Sequence, residues 1–109
     1  MPVHISEMPA APATLDEVSA ERIVVYRTRV CPYCVAAARY LREVKRVDVV
    51  EVDLSDRYDD RDLLSAWTGQ RTVPQIFIGD TWVGGYDDMR SLEREGGLDP
   101  LLEQTRASA

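Results

Sequence analysis

The stretch Cys31-Pro32-Tyr33-Cys34 falls between two hydrophobic patterns, and that junction constrains the fold more than any other part of the chain. Before it, Ile23-Val24-Val25-Tyr26 is short, continuous and rich in β-branched residues, the pattern of a buried strand. After it, Val35, Ala38, Leu41 and Val44 recur at helical spacing, which predicts a helix over 32–45 that begins within the motif. Pro32 suits the first turn, where the backbone donor it lacks would have no partner anyway. Cys31 is then expected at the helix N-terminus, where free amide donors and the positive dipole end favour thiolate over thiol. Cys34, one turn further in, is expected to be more covered. An exposed sulfur that attacks and a sheltered one that resolves is the layout of a dithiol redox site.

Two other uses of the pair compete with this reading. Zinc asks for four ligands, and the chain offers two thiols and one distant His4, so a metal site would need a second subunit. A structural disulfide across two intervening residues closes a very small loop and stabilises little. Redox chemistry is favoured over both, and no metal is expected. No apolar stretch approaches membrane-spanning length, and the N-terminus lacks the basic start and apolar core of a signal peptide. The expected compartment is therefore the cytoplasm, whose reducing conditions make a lone CxxC more plausibly catalytic than structural. A net charge of −6 repels phosphate backbones, so neither a nucleic acid nor a membrane is expected as partner. The charge is uneven: Arg27 and Arg29 flank the approach to Cys31, while Asp53, Asp56, Asp59, Asp60 and Asp62 crowd a later segment.

Taken in order, residues 1–20 read as a largely flexible N-terminal tail before a single domain over 21–109. Pro2, Pro9 and Pro12 and several alanines leave 1–13 without an apolar period, and Thr14 and Glu17 fit a capping box for one helical turn. Deleting 1–13 is expected to leave stability and turnover nearly unchanged, and His4 is expected to be solvated. Val47, Val49, Val50 and Val52 predict a second strand. Strand, helix, strand implies a parallel pair with a right-handed crossover. A second helix, capped by Ser55 or Asp56, should bury Leu63, Leu64 and Trp67 and stop at Gly69. Ile76-Phe77-Ile78, the loop Gly79-Asp80 and Thr81-Trp82-Val83 predict a hairpin. Asp87 or Asp88 should cap a third helix carrying Met89 and Leu92 and ended by Gly96-Gly97, and Asp99-Pro100 should begin a last short one. The order β-α-β-α-β-β-α points to a thioredoxin-like α/β fold, a four-stranded mixed sheet flanked by helices.

Four separated segments now resemble one family, the dithiol glutaredoxins of the thioredoxin superfamily: Tyr26 to Cys34 ending in CPYC, Thr72-Val73-Pro74-Gln75-Ile76-Phe77-Ile78, Gly84-Gly85-Tyr86-Asp87-Asp88, and Gly96-Gly97-Leu98. Their order and spacing match from about residue 22 to residue 102. The resemblance implies that Cys31 is the nucleophile and Cys34 the resolving thiol, with glutathione as co-substrate and no tightly bound cofactor. It makes Tyr33 the aromatic bordering the glutathione cleft. It implies a cis proline in Thr72-Val73-Pro74, with Val73 offering backbone groups to the cysteinyl part of glutathione. Gly85, Tyr86 and Asp87 match the segment that holds the γ-glutamyl end. Arg61 matches a position facing the glycyl carboxylate, a task a guanidinium could do bidentately.

The implied activity is glutathione-dependent reduction of protein disulfides and glutathione mixed disulfides by a monomer, with disulfide-containing or glutathionylated proteins as partners. Electrons from thioredoxin reductase are the alternative within the same chemistry. A carrier of a [2Fe–2S] cluster bridged by two chains is a different class, against which CPYC argues. A non-catalytic interaction domain is a third, less economical because both thiols are kept. One departure stands out. Three residues before Cys31 the family pattern usually has lysine, and this chain has Thr28. Arg27 and Arg29 are candidates to stabilise the thiolate in its place; the alternative is that both are solvated and the helix donors suffice.

Overall fold

The computed structural model describes residues 2–105 of the chain, and among them five strands and four α-helices. The strands β1 (Val3–His4), β2 (Ile23–Arg27), β3 (Val50–Asp53), β4 (Gln75–Ile78) and β5 (Thr81–Gly84) form one sheet in the order β1-β5-β4-β2-β3. β2 runs parallel to β3, with Val24 opposite Val50, and antiparallel to β4, with Val25 opposite Ile76. The helices are α1 (Pro32–Arg39), α2 (Tyr58–Thr68), α3 (Tyr86–Arg94) and α4 (Leu98–Glu103). This is the thioredoxin-like arrangement expected from the sequence, with one strand more.

β2 explains why the sheet is covered on both faces. Ile23 to Tyr26 are all fully buried, so its residues alternate between two cores rather than between core and water. Ile23 and Val25 join Ala37 of α1, Met89 and Leu92 of α3 and Leu98 and Leu102 of α4. Val24 and Tyr26 join Leu54 just after β3, Leu64 and Trp67 of α2, and Phe77 of β4. Trp67 stacks on Phe77 at 5.1 Å between ring centroids, and Tyr26 meets Phe77 edge-on at 5.9 Å. Both are favoured aromatic geometries in a core.

The fifth strand comes from the segment that the sequence reads as tail. Val3 and His4 pair antiparallel with Trp82 and Thr81 on the open edge of β5, and the Ile5 amide donates to the Asp80 carbonyl at 2.8 Å. Trp67 Nε1 donates to the Pro9 carbonyl at 2.8 Å, and Leu15 is 1% exposed within the second core. Val3 pairs with β5 while Ile5, Met8 and Leu15 reach the second core from a short turn and irregular backbone, so their spacing carries no helix or strand period. The capping box does not form either: the Thr14 hydroxyl donates to Asp60, and Glu17 accepts from Tyr26 Oη and pairs with Arg57. His4 closes a short 3-10 turn over Ile5–Glu7, its ring accepting from the Ser6 amide.

Smaller differences have local causes. The helix predicted over 32–45 is α as far as Arg39 and continues as a π turn over Tyr40–Val44, with the Lys45 amide donating to the Tyr40 carbonyl. α2 starts at Tyr58 rather than at Ser55, because the Ser55 hydroxyl accepts from the Arg29 amide and its own amide donates to Asp53. Leu64 and Trp67 are buried as expected, whereas Leu63 is 42% exposed. Gly69 ends α2 at φ +77°, the left-handed cap expected of it.

Candidate active site

The site starts where β2 hands over to α1. Cys31 is the N-cap of α1 with extended backbone, Pro32 occupies the first turn, and the Cys34 amide donates to Cys31 Sγ at 3.2 Å. Free helix donors therefore point at this sulfur, as the motif's spacing requires. Cys34 is fully buried and Cys31 is half-buried, so the two sulfurs differ in access in the expected sense. Here they are joined in a disulfide with the Cα atoms 5.2 Å apart, the oxidised form of the pair.

The loop before β4 closes on this pair from the other side of the sheet's end. The Val73–Pro74 peptide is cis, and the Val73 carbonyl oxygen lies 3.8 Å from Cys31 Sγ. β4 begins only at Gln75, so Val73 stands ahead of the ladder with its backbone turned to the sulfur. β5 then ends at Gly84, which has φ +105°, a value that side-chain-bearing residues rarely adopt. A Cβ there would lie 2.5 Å from Asp88 Oδ2, the carboxylate oxygen that accepts from the Gly85 amide at 2.9 Å and closes the first turn of α3. α3 consequently starts at Tyr86 with Gly85 as its N-cap, two or three residues ahead of the caps read from Asp87 or Asp88.

These elements enclose a groove of about 310 Å³ lined by Tyr33, Gln70, Thr72, Val73, Pro74, Gly85, Tyr86, Asp87 and Asp88. Seven of the residues that the sequence marks for glutathione thus meet in one place: Tyr33, Thr72, Val73, Pro74, Gly85, Tyr86 and Asp87. Tyr33 is 62% exposed at the rim, and its ring centroid lies 6.0 Å from that of Tyr86. Arg61 does not line this groove. It borders a second hollow with Asp62, Ser65, Ala66, Gly69 and Arg71, and the loop after α2 contributes to both, Gln70 to the first and Arg71 to the second. Sequence reasoning missed Gln70, whose only signal is its place between the Gly69 stop and the Thr72 loop, and it read Asp88 only as a cap.

Arg27 and Arg29 are turned to carboxylates. Arg27 pairs with Glu51 at 2.6 Å, and Glu51 also accepts from Arg42. Arg29 pairs with Asp56 at 2.5 Å and with Asp53 at 3.7 Å, and the Asp56 bond holds its guanidinium above the usual arginine range. Hydrogen bonds from Ser55 in turn hold Asp53 below the usual carboxylate range. Each cation is thus partly cancelled by its own carboxylates, which weakens any field either could set up at Cys31.

The comparisons with known proteins agree with this geometry. The family model described as glutaredoxin matches residues 23–83. A glutaredoxin of Pseudomonas aeruginosa is 46% identical over 80 residues, covering 73% of this chain and 94% of that protein. A glutaredoxin of Vernicia fordii is 40% identical over 92 residues, covering 83% and 88%. The crystal structure of a buckwheat glutaredoxin–glutathione complex superposes with a TM-score of 0.76 at 32% identity, covering 84% of each chain.

Proposed function

The chain belongs to the glutaredoxin family of thiol–disulfide oxidoreductases, and from that premise we propose that it reduces glutathione mixed disulfides and protein disulfides with glutathione as the electron donor. The observation that carries the reading is that the cis-proline loop and the Gly85–Asp87 turn line one groove, while the Val73 carbonyl of that loop lies 3.8 Å from Cys31 Sγ. The buckwheat relative that shares the fold was crystallised with glutathione, which supports the same ligand here.

Reduced Cys31, deprotonated under the influence of the α1 N-terminus, attacks the glutathione sulfur of a glutathionylated protein. The protein thiolate leaves and takes up a proton, and Cys31 carries glutathione as a mixed disulfide. A second glutathione thiolate then attacks the glutathione sulfur of the adduct, which releases glutathione disulfide and regenerates the Cys31 thiolate. On a protein disulfide Cys31 instead forms a mixed disulfide with the substrate. Cys34 attacks the Cys31 sulfur, frees the substrate dithiol and leaves the Cys31–Cys34 disulfide, which two glutathiones reduce. The mixed-disulfide route consumes one free glutathione, the other half of the glutathione disulfide coming from the substrate, whereas the protein-disulfide route consumes two.

Within the groove, Thr72, Val73 and Pro74 offer main-chain contacts to the cysteinyl part of the tripeptide, as an added strand would. Gly85, Tyr86 and Asp87 hold the γ-glutamyl end, where the α3 N-terminus suits its carboxylate and Asp87 suits its amino group. Arg61, in the second hollow rather than the groove, is the partner for the glycyl carboxylate only where that end of the tripeptide extends past the loop after α2. The cytosol, where glutathione is kept reduced, is the setting that this reaction asks for. The test is turnover of a small glutathione mixed disulfide coupled to glutathione reductase. Turnover supported by thioredoxin reductase and not by glutathione would overturn the choice of donor.

A further inference from the structure

Behind the groove, a set of side chains that the reaction above does not use (Arg90, Tyr40, Glu93 and Lys45) meets the groove residue Tyr86. Tyr86 and Arg90 stand one turn apart on α3, and Arg90 Nη1 donates to Tyr86 Oη at 2.9 Å. The same guanidinium lies over the ring of Tyr40, its Cζ 4.3 Å from the centroid, within the range of a cation–π contact. Tyr40 belongs to the π turn that extends α1, and its hydroxyl donates to Glu93 Oε2, which also receives Lys45 Nζ at 2.7 Å. Lys45 continues the network to Asp99 at 2.7 Å. A chain of contacts therefore runs from the end of α1 through Tyr40 and Arg90 to Tyr86, and from Tyr86 to Tyr33 at the mouth of the groove.

Arg90 Nε is buried without a hydrogen-bond partner. Such a group is costly, and its position calls for a reason in what the rest of the side chain does. The rest of this side chain does two things: it stacks on Tyr40 and it holds the Tyr86 hydroxyl. The Tyr86 ring, at the start of α3, already packs against the first core and lines the groove, so the bond from Arg90 adds a fixed position for its hydroxyl end. We propose that Arg90, backed by Tyr40, is a positioning residue that fixes the Tyr86 ring as a wall of the groove and so sets affinity for glutathione rather than the rate of sulfur exchange. The proposal rests on the reading of the groove as a glutathione site. It adds a role for residues outside the groove.

Arg90 contacts Tyr86 and Tyr40 and does not line the groove, so removing it should leave kcat in place and raise KM. In the glutathione-coupled assay, Arg90→Ala is expected to raise KM for the mixed disulfide roughly five- to tenfold, the size of one lost hydrogen bond. Tyr86→Phe, which removes the acceptor, should raise KM to a similar degree, and the double variant should go no further. Arg90→Lys, which keeps a cation over Tyr40 and a donor within reach, should recover part of the affinity. The Tyr86 ring resonances, read by NMR without any substrate, should broaden or shift in Arg90→Ala and return towards wild type in Arg90→Lys. A wild type that does not saturate with glutathione disulfides would overturn the reading of the groove. A saturating wild type with unchanged KM in Arg90→Ala, additive effects in the double variant, or unaltered Tyr86 resonances would overturn the role of Arg90 alone.

Discussion

Replacing Leu15 by alanine tests whether the N-terminal segment is part of the folded unit. Leu15 is 1% exposed and sits in the core beneath α2 with Val24, Tyr26, Leu54, Leu64, Trp67 and Phe77. Its neighbours come from β2, β4 and α2, which are fixed by the sheet and cannot collapse onto the space left behind. Leucine-to-alanine changes at such sites cost about 2–5 kcal/mol, the lost transfer energy plus the unfilled cavity. In a domain of this size that corresponds to a fall in Tm of roughly 8–20 °C. Denaturant unfolding of the oxidised protein, fitted for midpoint and slope, reads the change directly. Leu63→Ala on α2 is the control, since Leu63 is 42% exposed and should cost no more than about 0.5 kcal/mol. A Leu15→Ala loss as small as that of Leu63→Ala would mean that the segment around Leu15 lies loosely on the sheet; deletion of 1–13 is the separate measurement that tests whether those residues contribute.

Two further outcomes follow from individual side chains. Burial first, and then the hydrogen bond to Glu17, hold the Tyr26 hydroxyl well above the usual tyrosine range. The unfolded chain loses this proton near pH ~10 while the folded chain keeps it, so the stability it contributes is complete below that pH and lost as pH rises beyond. Tyr26→Phe should therefore remove about 1.4 kcal/mol per pH unit from the alkaline slope of stability, measured by unfolding at stepped pH; an unchanged slope would show that Tyr26 is not so protected. Arg29 is exposed and already committed to Asp53 and Asp56, so Arg29→Ala should move the Cys31 titration by no more than a few tenths of a pH unit. Thiolate absorbance against pH in the reduced protein checks this, and a larger upward shift would restore Arg29 as the stand-in for the missing lysine at Thr28.

How much was legible in the sequence depended on whether a residue's partner lay within reach of a local pattern. Ile23 to Tyr26, the cap-and-proline start at Cys31-Pro32, and Gly69 after Trp67 each speak through their neighbours, and each took the predicted conformation. The groove was legible because its loops end regular elements: Thr72 to Pro74 precede β4, and Gly84 to Asp88 join β5 to α3. The N-terminal strand was not, since a two-residue pairing between Val3 and Trp82 leaves no periodicity. Nor were the partners of Arg27 and Arg29. Their carboxylates lie 24 and 27 residues along the chain, and only the β2–β3 pairing and the loop beyond it bring them close. Arg61 sits near the groove in sequence terms but on a stretch of α2 that faces the second hollow.

The central claim is that Cys31 is the sulfur that exchanges with glutathione, and it is tested most directly by assaying Cys31→Ser and Cys34→Ser side by side in glutathione-coupled turnover of a small mixed disulfide. Cys31 alone combines the α1 N-terminus with partial exposure and a place beside Val73 of the groove, whereas Cys34 is fully buried. Cys34→Ser should keep this turnover while losing two-thiol reduction of protein disulfides, and Cys31→Ser should lose both. Turnover retained by Cys31→Ser, or none in the wild type, would contradict the account.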